Sequence, residues 1–592
     1  MINVLILLLI LILFYLSILG YGLLLNNKFF KLELNTGEHG LIGFFILYLI
    51  SVFFNFFISI NIFFSLPILS LGFMFFIIFF FKKKNIFFDR FDFLILFLGI
   101  LSAITINLHD DHLLYQLPYI DLKQQFKIIF GLIHLNDTLA YQHGLYDTMS
   151  LFNLPFYQNR FVFLIPVIFV MFFLSIIKDK INLEKEGILF YYCFFIVTLF
   201  LLKFTRSKEF GTDVPVIALL FLIQVYSLEY LKNRNIENFY KMIIFSALAV
   251  FYKLYAVLII FNFIIFYKEI LNFTKKIFQK KKIFLFLIIF GFSLTFTKSF
   301  INSGCLNYPV ALTCVDKNLA SWSIGKEFAT YRSDHLKASI KGWLPYVRST
   351  NFNDLIMPEN YLKKFKFNFH KNVFKDPDLE RLLIVIITVL IIFFINFSFN
   401  YKSTRNDNYN NKYYKILLCS GISCLLWFII LPHVRYGGYA YVSFFLFILM
   451  NYFFSFKKVN KLFFISFISI LVFYFSAKNF KRIDKEMHSI VDKKIYNEFP
   501  IPVYKDIDYK KMIKKNINFN ISKHKTMCGL IPFPCLPFHY RNLDMTISEV
   551  NEYKFLASNS SQRKSLLIEE IKELNDFKRG LSGYHDNLII KD

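Results

Sequence analysis

The stretch Phe91-Asp-Phe-Leu-Ile-Leu-Phe-Leu-Gly-Ile-Leu-Ser-Ala-Ile-Thr-Ile-Asn-Leu108-His109-Asp110-Asp111-His112-Leu-Leu-Tyr115-Gln-Leu-Pro118-Tyr119 decides how this chain is read. Its first part, Phe91 to Leu108, is an apolar run long enough to cross a bilayer. It ends directly in two adjacent Asp flanked by two His. Carboxylates are expensive in hydrocarbon, so this pair must lie at the membrane-water boundary, facing a polar cavity or a partner. A lipid-linked substrate would present its head group there. The plain alternative is a helix leaving the membrane through polar residues, and the other charged turns of the chain decide between the two.

Composition sets the class. Of 592 residues, 56% are hydrophobic and 20% aromatic, with a mean hydropathy of +0.49, whereas soluble domains are about 45–50% apolar. The sequence therefore predicts an all-α polytopic membrane protein. A net charge of +26 would suggest nucleic acid in a soluble chain. Here the Lys and Arg gather in short segments between apolar runs, where they orient helices in a membrane, so nucleic-acid binding is excluded. Residues 1–25 carry no basic leader and no small-residue cleavage site, and read as a retained first helix.

Apolar runs fall near 2–25, 41–60, 62–81, 91–108, 161–177, 187–203, 213–231, 241–254, 255–267, 283–300, 382–399, 414–432, 439–455 and 461–477, about fourteen transmembrane helices by length. The basic clusters Lys82-Lys83-Lys84, Lys268 to Lys282, Lys402 to Lys415 and Lys457-Lys458 with Lys461 all fall on one side under this parse. Taking that side as cytoplasmic places 109–160, 301–381 and 478–592 outside, together with both termini, in a bacterial inner membrane. The chain then divides into N-terminal extra helices 1–90, a membrane core 91–300 whose large first outer loop 109–160 carries a surface helix over 119–129, an outer loop 301–381, C-terminal helices 382–477 and a small soluble tail 478–592. Residues 131–155 are too polar for a span and too apolar for a linker, which predicts that they pack on the bundle and shape a cavity. Two close cysteine pairs, Cys305 with Cys314 and Cys528 with Cys535, both lie outside and fit disulfides in an oxidising compartment.

Other costly charges lie at the same depth. Arg206-Ser-Lys208-Glu209-Phe-Gly211-Thr-Asp213-Val-Pro215 is an outer turn, Lys253 separates two short apolar runs, and Pro432-His433-Val-Arg435-Tyr436-Gly437-Gly438 is another outer turn. Taken singly, each could be a snorkelling or structural charge. Together with the Asp pair they point to a polar site. Asp110 or Asp111 could accept a proton from a hydroxyl, while Arg206, Lys208 and Arg435 could hold a phosphate whose lipid tail lies in the bilayer. Glu209 and Asp213 would position an acceptor or a metal, and His109, His112, Tyr115, Lys253 and His433 complete the set. Asp110, Asp111 and His112 would suit Mg or Mn if a metal is used, though the chemistry requires none.

In the order of a span, an outer acidic motif, a long outer loop, many spans with polar outer turns and an outer tail, the chain resembles the GT-C superfamily of integral-membrane glycosyltransferases. Tyr115-Gln-Leu-Pro118-Tyr119 with Gly131 to Asn136, and Ser303-Gly-Cys305-Leu-Asn-Tyr308-Pro309 followed by Trp322-Ser323, resemble a group of large bacterial membrane proteins related to it. The resemblance covers roughly 91–440. It implies a catalytic Asp in the first outer loop, hence Asp110 or Asp111, and a second acidic site at Glu209 or Asp213. It further implies transfer of a sugar from a polyprenyl-phosphate donor to a cell-envelope glycan or lipid acceptor, with membrane lipids as surroundings. The three spans before Phe91 and the small tail depart from that plan. A polysaccharide polymerase or ligase, in which His433 and Arg435 would matter more than the Asp pair, and a transporter are the other classes the sequence leaves open.

Overall fold

The computed structural model describes residues 2–82, 89–104, 111–154, 161–184, 187–206, 211–267, 282–342, 357–364, 377–399, 410–453, 461–493, 500–501, 507–514, 517–524, 528–537, 540–550, 553–558 and 561–566. Among the described residues, each of the fourteen apolar runs contains a helix. In chain order the helices are α1 (Ile2–Leu25), α2 (Thr36–Asn55), α3 (Ile62–Lys82), α4 (Arg90–Ala103), the short α5 (Leu117–Gln125) and α6 (Gly144–Met149), α7 (Leu164–Leu183), α8 (Gly187–Lys203), α9 (Asp213–Asn233), α10 (Ile236–Tyr252), the broken α11 (Leu254–Phe266) and α12 (Lys282–Ser303). After them come α13 (Lys326–Ile340), α14 (Pro358–Lys364), α15 (Pro377–Phe399), α16 (Asn410–Ile430), α17 (Tyr439–Phe453) and α18 (Lys461–Lys493). Among the described residues, six helical segments are long and apolar enough to cross a membrane: Ile2–Phe30, Thr36–Asn55, Ile62–Lys82, Asp213–Asn233, Lys282–Ser303 and Phe464–His488.

α2 is the central pillar. Asn35 and Glu38 close a capping box at its start, satisfying the backbone N–H groups that a helix N-terminus leaves free. The same Glu38 is buried against Lys241 of α10, whose Nζ lies 2.9 Å from Oε1, and accepts from the Tyr226 hydroxyl of α9. At the other end Ser51 enters a second buried network, described below. The first three helices are therefore part of the bundle: α1 packs on α2 and α3, and α2 packs on α7.

The tail corrects the all-α expectation. β1 (Tyr509–Lys514) pairs antiparallel with β2 (Ile517–Ser522), β3 (Cys535–Leu536) joins β2 in parallel, and β4 (Met545–Val550) forms an antiparallel hairpin with β5 (Tyr553–Ser558). Phe555 in β5 pairs with Phe130 of the first loop, and their rings stack at 4.4 Å. The Tyr553 hydroxyl donates to the Phe56 carbonyl just past α2 (2.9 Å), and Lys317 Nζ donates to the Ser558 carbonyl (2.7 Å). Arg563, fully buried, donates to the His134 carbonyl (2.8 Å). The tail, the first loop and the segment after α12 thus meet at one end of the bundle. Disulfides join Cys305 to Cys314 and Cys528 to Cys535 there.

The helix expected over 119–129 runs over Leu117–Gln125, and it buries Tyr119, Ile120, Lys123 and Gln124 in the protein, where the polar groups of Tyr119 and Lys123 find partners. Residues 131–154 form short turns and α6; Leu135, Asn136 and Leu139 line a cavity with Asp121 and the Cys528–Cys535 loop. Gly131 adopts φ +71°, where a Cβ would stand 2.3 Å from the Leu556 carbonyl oxygen. Gly131→Ala is therefore expected to loosen the tail, since the left-handed conformation alone costs about 1–2 kcal/mol and the clash is with backbone. Limited proteolysis should show faster cleavage between residues 500 and 566 while the helical bundle stays intact.

Candidate functional site

The site is assembled from places where helices start, break or turn. Asp213 opens α9, where the positive end of the helix favours a carboxylate. Just before it, Gly211 has φ +52° and approaches so closely that a Cβ there would meet Tyr146 Oη at 2.8 Å and Gln116 Nε2 at 2.9 Å. The turn is thereby seated on the first loop. Lys253 lies in the extended break between α10 and α11, and its Nζ is 3.6 Å from Asp213 Oδ1. Arg435, in the turn Val434–Gly438 between α16 and α17, pairs through Nε with Asp213 Oδ2. That turn depends on Gly437 at φ +86° and on His433, whose Nδ1 accepts the Arg435 backbone N–H (3.2 Å). The Asp213 carboxylate holds the Arg435 guanidinium above its usual value, against the opposing effect of burial.

The first loop supplies the other half. Asp111 precedes the turn His112–Gln116 and lies within electrostatic reach of Tyr115, Arg435 and Tyr436. Burial first, then Asp111 and Asp213, push the Tyr115 phenol up; burial with Asp213 pushes Tyr436 to about 12, against Arg435. Tyr115 stacks on His143 at 5.3 Å. His112 Nδ1–H donates to Gln116 Oε1 (3.2 Å), which stiffens the turn from inside. Asp111, Tyr115, Asp213, Lys253, His433 and Arg435 are thus brought to one locality by four separate chain segments. His109, Asp110, Lys208 and Glu209 lie outside the described residues. Arg206 lies within electrostatic reach of Lys478, as Lys203 does. Among the described residues, no three His, Cys, Asp or Glu side chains gather as metal ligands would.

Behind this locality lies a network that the sequence reading missed. Asp147 of α6 is fully buried; its Oδ1 accepts from Lys123 Nζ (2.8 Å) and the Tyr119 hydroxyl (2.7 Å), and its Oδ2 pairs with Lys298 of α12. Lys123 also donates to Ser51 Oγ (3.1 Å). Burial pushes the Asp147 carboxyl up, but the two lysines outweigh it and hold it at about 2; burial brings Lys123 down to about 8, opposed by Asp147. The signal was Lys298, a lone cation inside the apolar run 283–300, which needs a buried partner.

Fold and site together define a helical membrane protein with paired charges gathered at one end of its bundle. The family model described as Domain of unknown function (DUF8201) matches residues 1–443, and the chain belongs to that family. No curated protein and no solved structure matches it.

Proposed function

We propose that the chain is an integral-membrane glycosyltransferase of about fourteen spans. It moves a sugar from a polyprenyl-phosphate donor to a glycan or lipid acceptor on the periplasmic face of a bacterial inner membrane. The observation that carries the reading is the convergence of Asp111, Tyr115, Asp213, Lys253 and Arg435 at the end of the bundle where the tail and both disulfides also lie. That common end supports the assigned sidedness, since disulfides persist in oxidising compartments.

In this reading Asp111 takes the proton of the acceptor hydroxyl as its oxygen attacks the anomeric carbon. The bond from that carbon to the phosphate oxygen breaks, and the electron pair leaves with the phosphate. Arg435 and Lys253 meet the developing charge, with Asp213 holding both cations in place. Because the phosphate is a good leaving group, no acid is required on its side.

Asp111→Asn is expected to lower transfer about 10²–10⁴-fold, the range for a lost general base. Arg435→Gln should lower it about 10²–10³-fold, with Arg435→Lys retaining part of the rate. The measurement is sugar transfer from a polyprenyl-phosphate donor in proteoliposomes holding each folded variant. Unchanged rates in Asp111→Asn and Arg435→Gln would sink the proposal.

A further inference from the structure

Just past α12 the chain forms a small closed finger, Cys305 to Cys314, whose ends are joined by a disulfide and a backbone bridge. The finger lies within an uncharged stretch that runs from Ser299 to Val315. Its two sides differ. Tyr308 is buried, with its ring 5.2 Å from that of Tyr141 in the first loop. Leu306, Val310 and Leu312 are exposed, Leu312 to 95%. Single leucines on a surface need no explanation, but three bare aliphatic side chains on one small uncharged loop mark a surface that meets something apolar.

The depth of the finger says what that is. It doubles back along the last turn of α12, where the Ser299 hydroxyl donates to the Cys305 carbonyl (3.0 Å) and accepts the Tyr308 backbone N–H (3.4 Å). Below this point α12 turns Phe286, Ile289 and Phe296 outward, as a helix facing lipid does. From Lys282 to Ser299 the helix rises about 26 Å, which is less than the hydrocarbon thickness of about 30 Å. With Lys282 at one boundary, the root of the finger lies at the other, where acyl chains give way to head groups.

The backbone of the finger is closed as lipid requires. The N–H groups of Leu306, Asn307, Val310, Thr313 and Cys314 find acceptors inside the finger, and that of Cys305 finds the Ser303 hydroxyl. Thr313 serves both directions: its hydroxyl accepts the Asn307 N–H (3.1 Å) and donates to the Val310 carbonyl (2.7 Å). A loop bathed in water can leave such groups to the solvent.

We propose that the Cys305–Cys314 finger is a membrane anchor. Leu306, Val310 and Leu312 insert among the acyl chains just beneath the head groups of the leaflet on the tail's side. Held there, the finger fixes the depth of Tyr308 and, through its ring contact, of Tyr141 in the first loop. The inference rests on α12 crossing the membrane and not on the glycosyl-transfer reading.

The test is photo-crosslinking of the full chain in proteoliposomes of phosphatidylethanolamine and phosphatidylglycerol. Variants Leu306→p-benzoylphenylalanine and Leu312→p-benzoylphenylalanine are compared with Leu319→p-benzoylphenylalanine. Leu319 is also widely exposed (79%), but it follows Asp316, Lys317 and Asn318. After irradiation, mass spectrometry should find about tenfold more phospholipid adduct at 306 and 312 than at 319, the lower end of what burying one leucine-sized side chain contributes. Intact mass without reductant confirms that the disulfides are kept. Lipid adducts equal at all three positions, adducts at 312 to a second copy of the chain, or no adduct at 306 and 312 would each overturn the proposal.

Discussion

Asp147→Ala is expected to prevent the protein from accumulating in folded form, or to lower its melting temperature in detergent steeply. The substitution removes the one carboxylate that Lys123 and Lys298 share, and both cations are nearly inaccessible to solvent. Breaking a buried pair by removing one partner costs about 3–5 kcal/mol, because the remaining charge is left uncompensated. Here two charges are left, and the Tyr119 hydroxyl loses its acceptor as well. The damage would spread because the network joins α2 through Ser51, α5 through Tyr119 and Lys123, α6 through Asp147 and α12 through Lys298. Lys298→Met should be much milder. It keeps side-chain volume and leaves Lys123 and Asp147 as a balanced one-to-one pair. Size-exclusion profiles and melting curves of the two variants check this, and an Asp147→Ala protein that melts like the parent would show that the network carries little of the fold.

The contrast between that network and the fourteen apolar runs shows what a sequence can and cannot disclose. A helix of Phe, Leu and Ile announces itself, because apolar length is a local property; Asp89 and Asp92, at the start of α4, even mark a capping box. The partner of a buried charge is not local. Asp213 and Arg435 both stood out as costly residues, but a sequence separation of 222 left their pairing invisible. Arg206 stood in the same outer turn as Lys208 and Asp213, yet it lies within electrostatic reach of Lys478 in α18, a neighbour that no spacing within the turn discloses. Asp147 was read as one polar residue in a mixed stretch, since nothing in Gly131 to Pro155 indicates which side chain turns inward. The tail strands were equally hidden: Tyr-Lys-Lys-Met-Ile-Lys in β1 lacks clean alternation and takes its strand form from pairing with β2.

Acid should open the same end of the molecule. His134 and His143 are both buried, and both are held neutral, with burial as the largest cause and nearby cations adding to it: Arg563 and Lys317 for His134, Lys253 and Lys298 for His143. Each is brought down from 6.5 to about 3, despite the Trp322 and Thr138 carbonyls that accept their Nε2–H groups at 3.0 and 2.7 Å. Between these values the unfolded chain binds protons that the folded chain refuses. Stability is therefore complete above pH 6.5 and falls as the pH drops toward 3, by about 2 kcal/mol per histidine at pH 5. Asp147 contributes nothing to that window. Its carboxyl is lowered to about 2, so its stabilisation is present above about pH 4 and lost only below it. Because His134 also receives the Ser558 hydroxyl at 2.7 Å on the seam between the first loop and β5, the tail should detach before the bundle melts. Melting temperature and protease sensitivity of the tail, followed from pH 7.5 to 4.5, should fall and rise together below pH 6.5. The His134→Gln, His143→Gln protein should hold a flatter profile over that range, and an unchanged slope in that variant would assign the acid sensitivity to other groups.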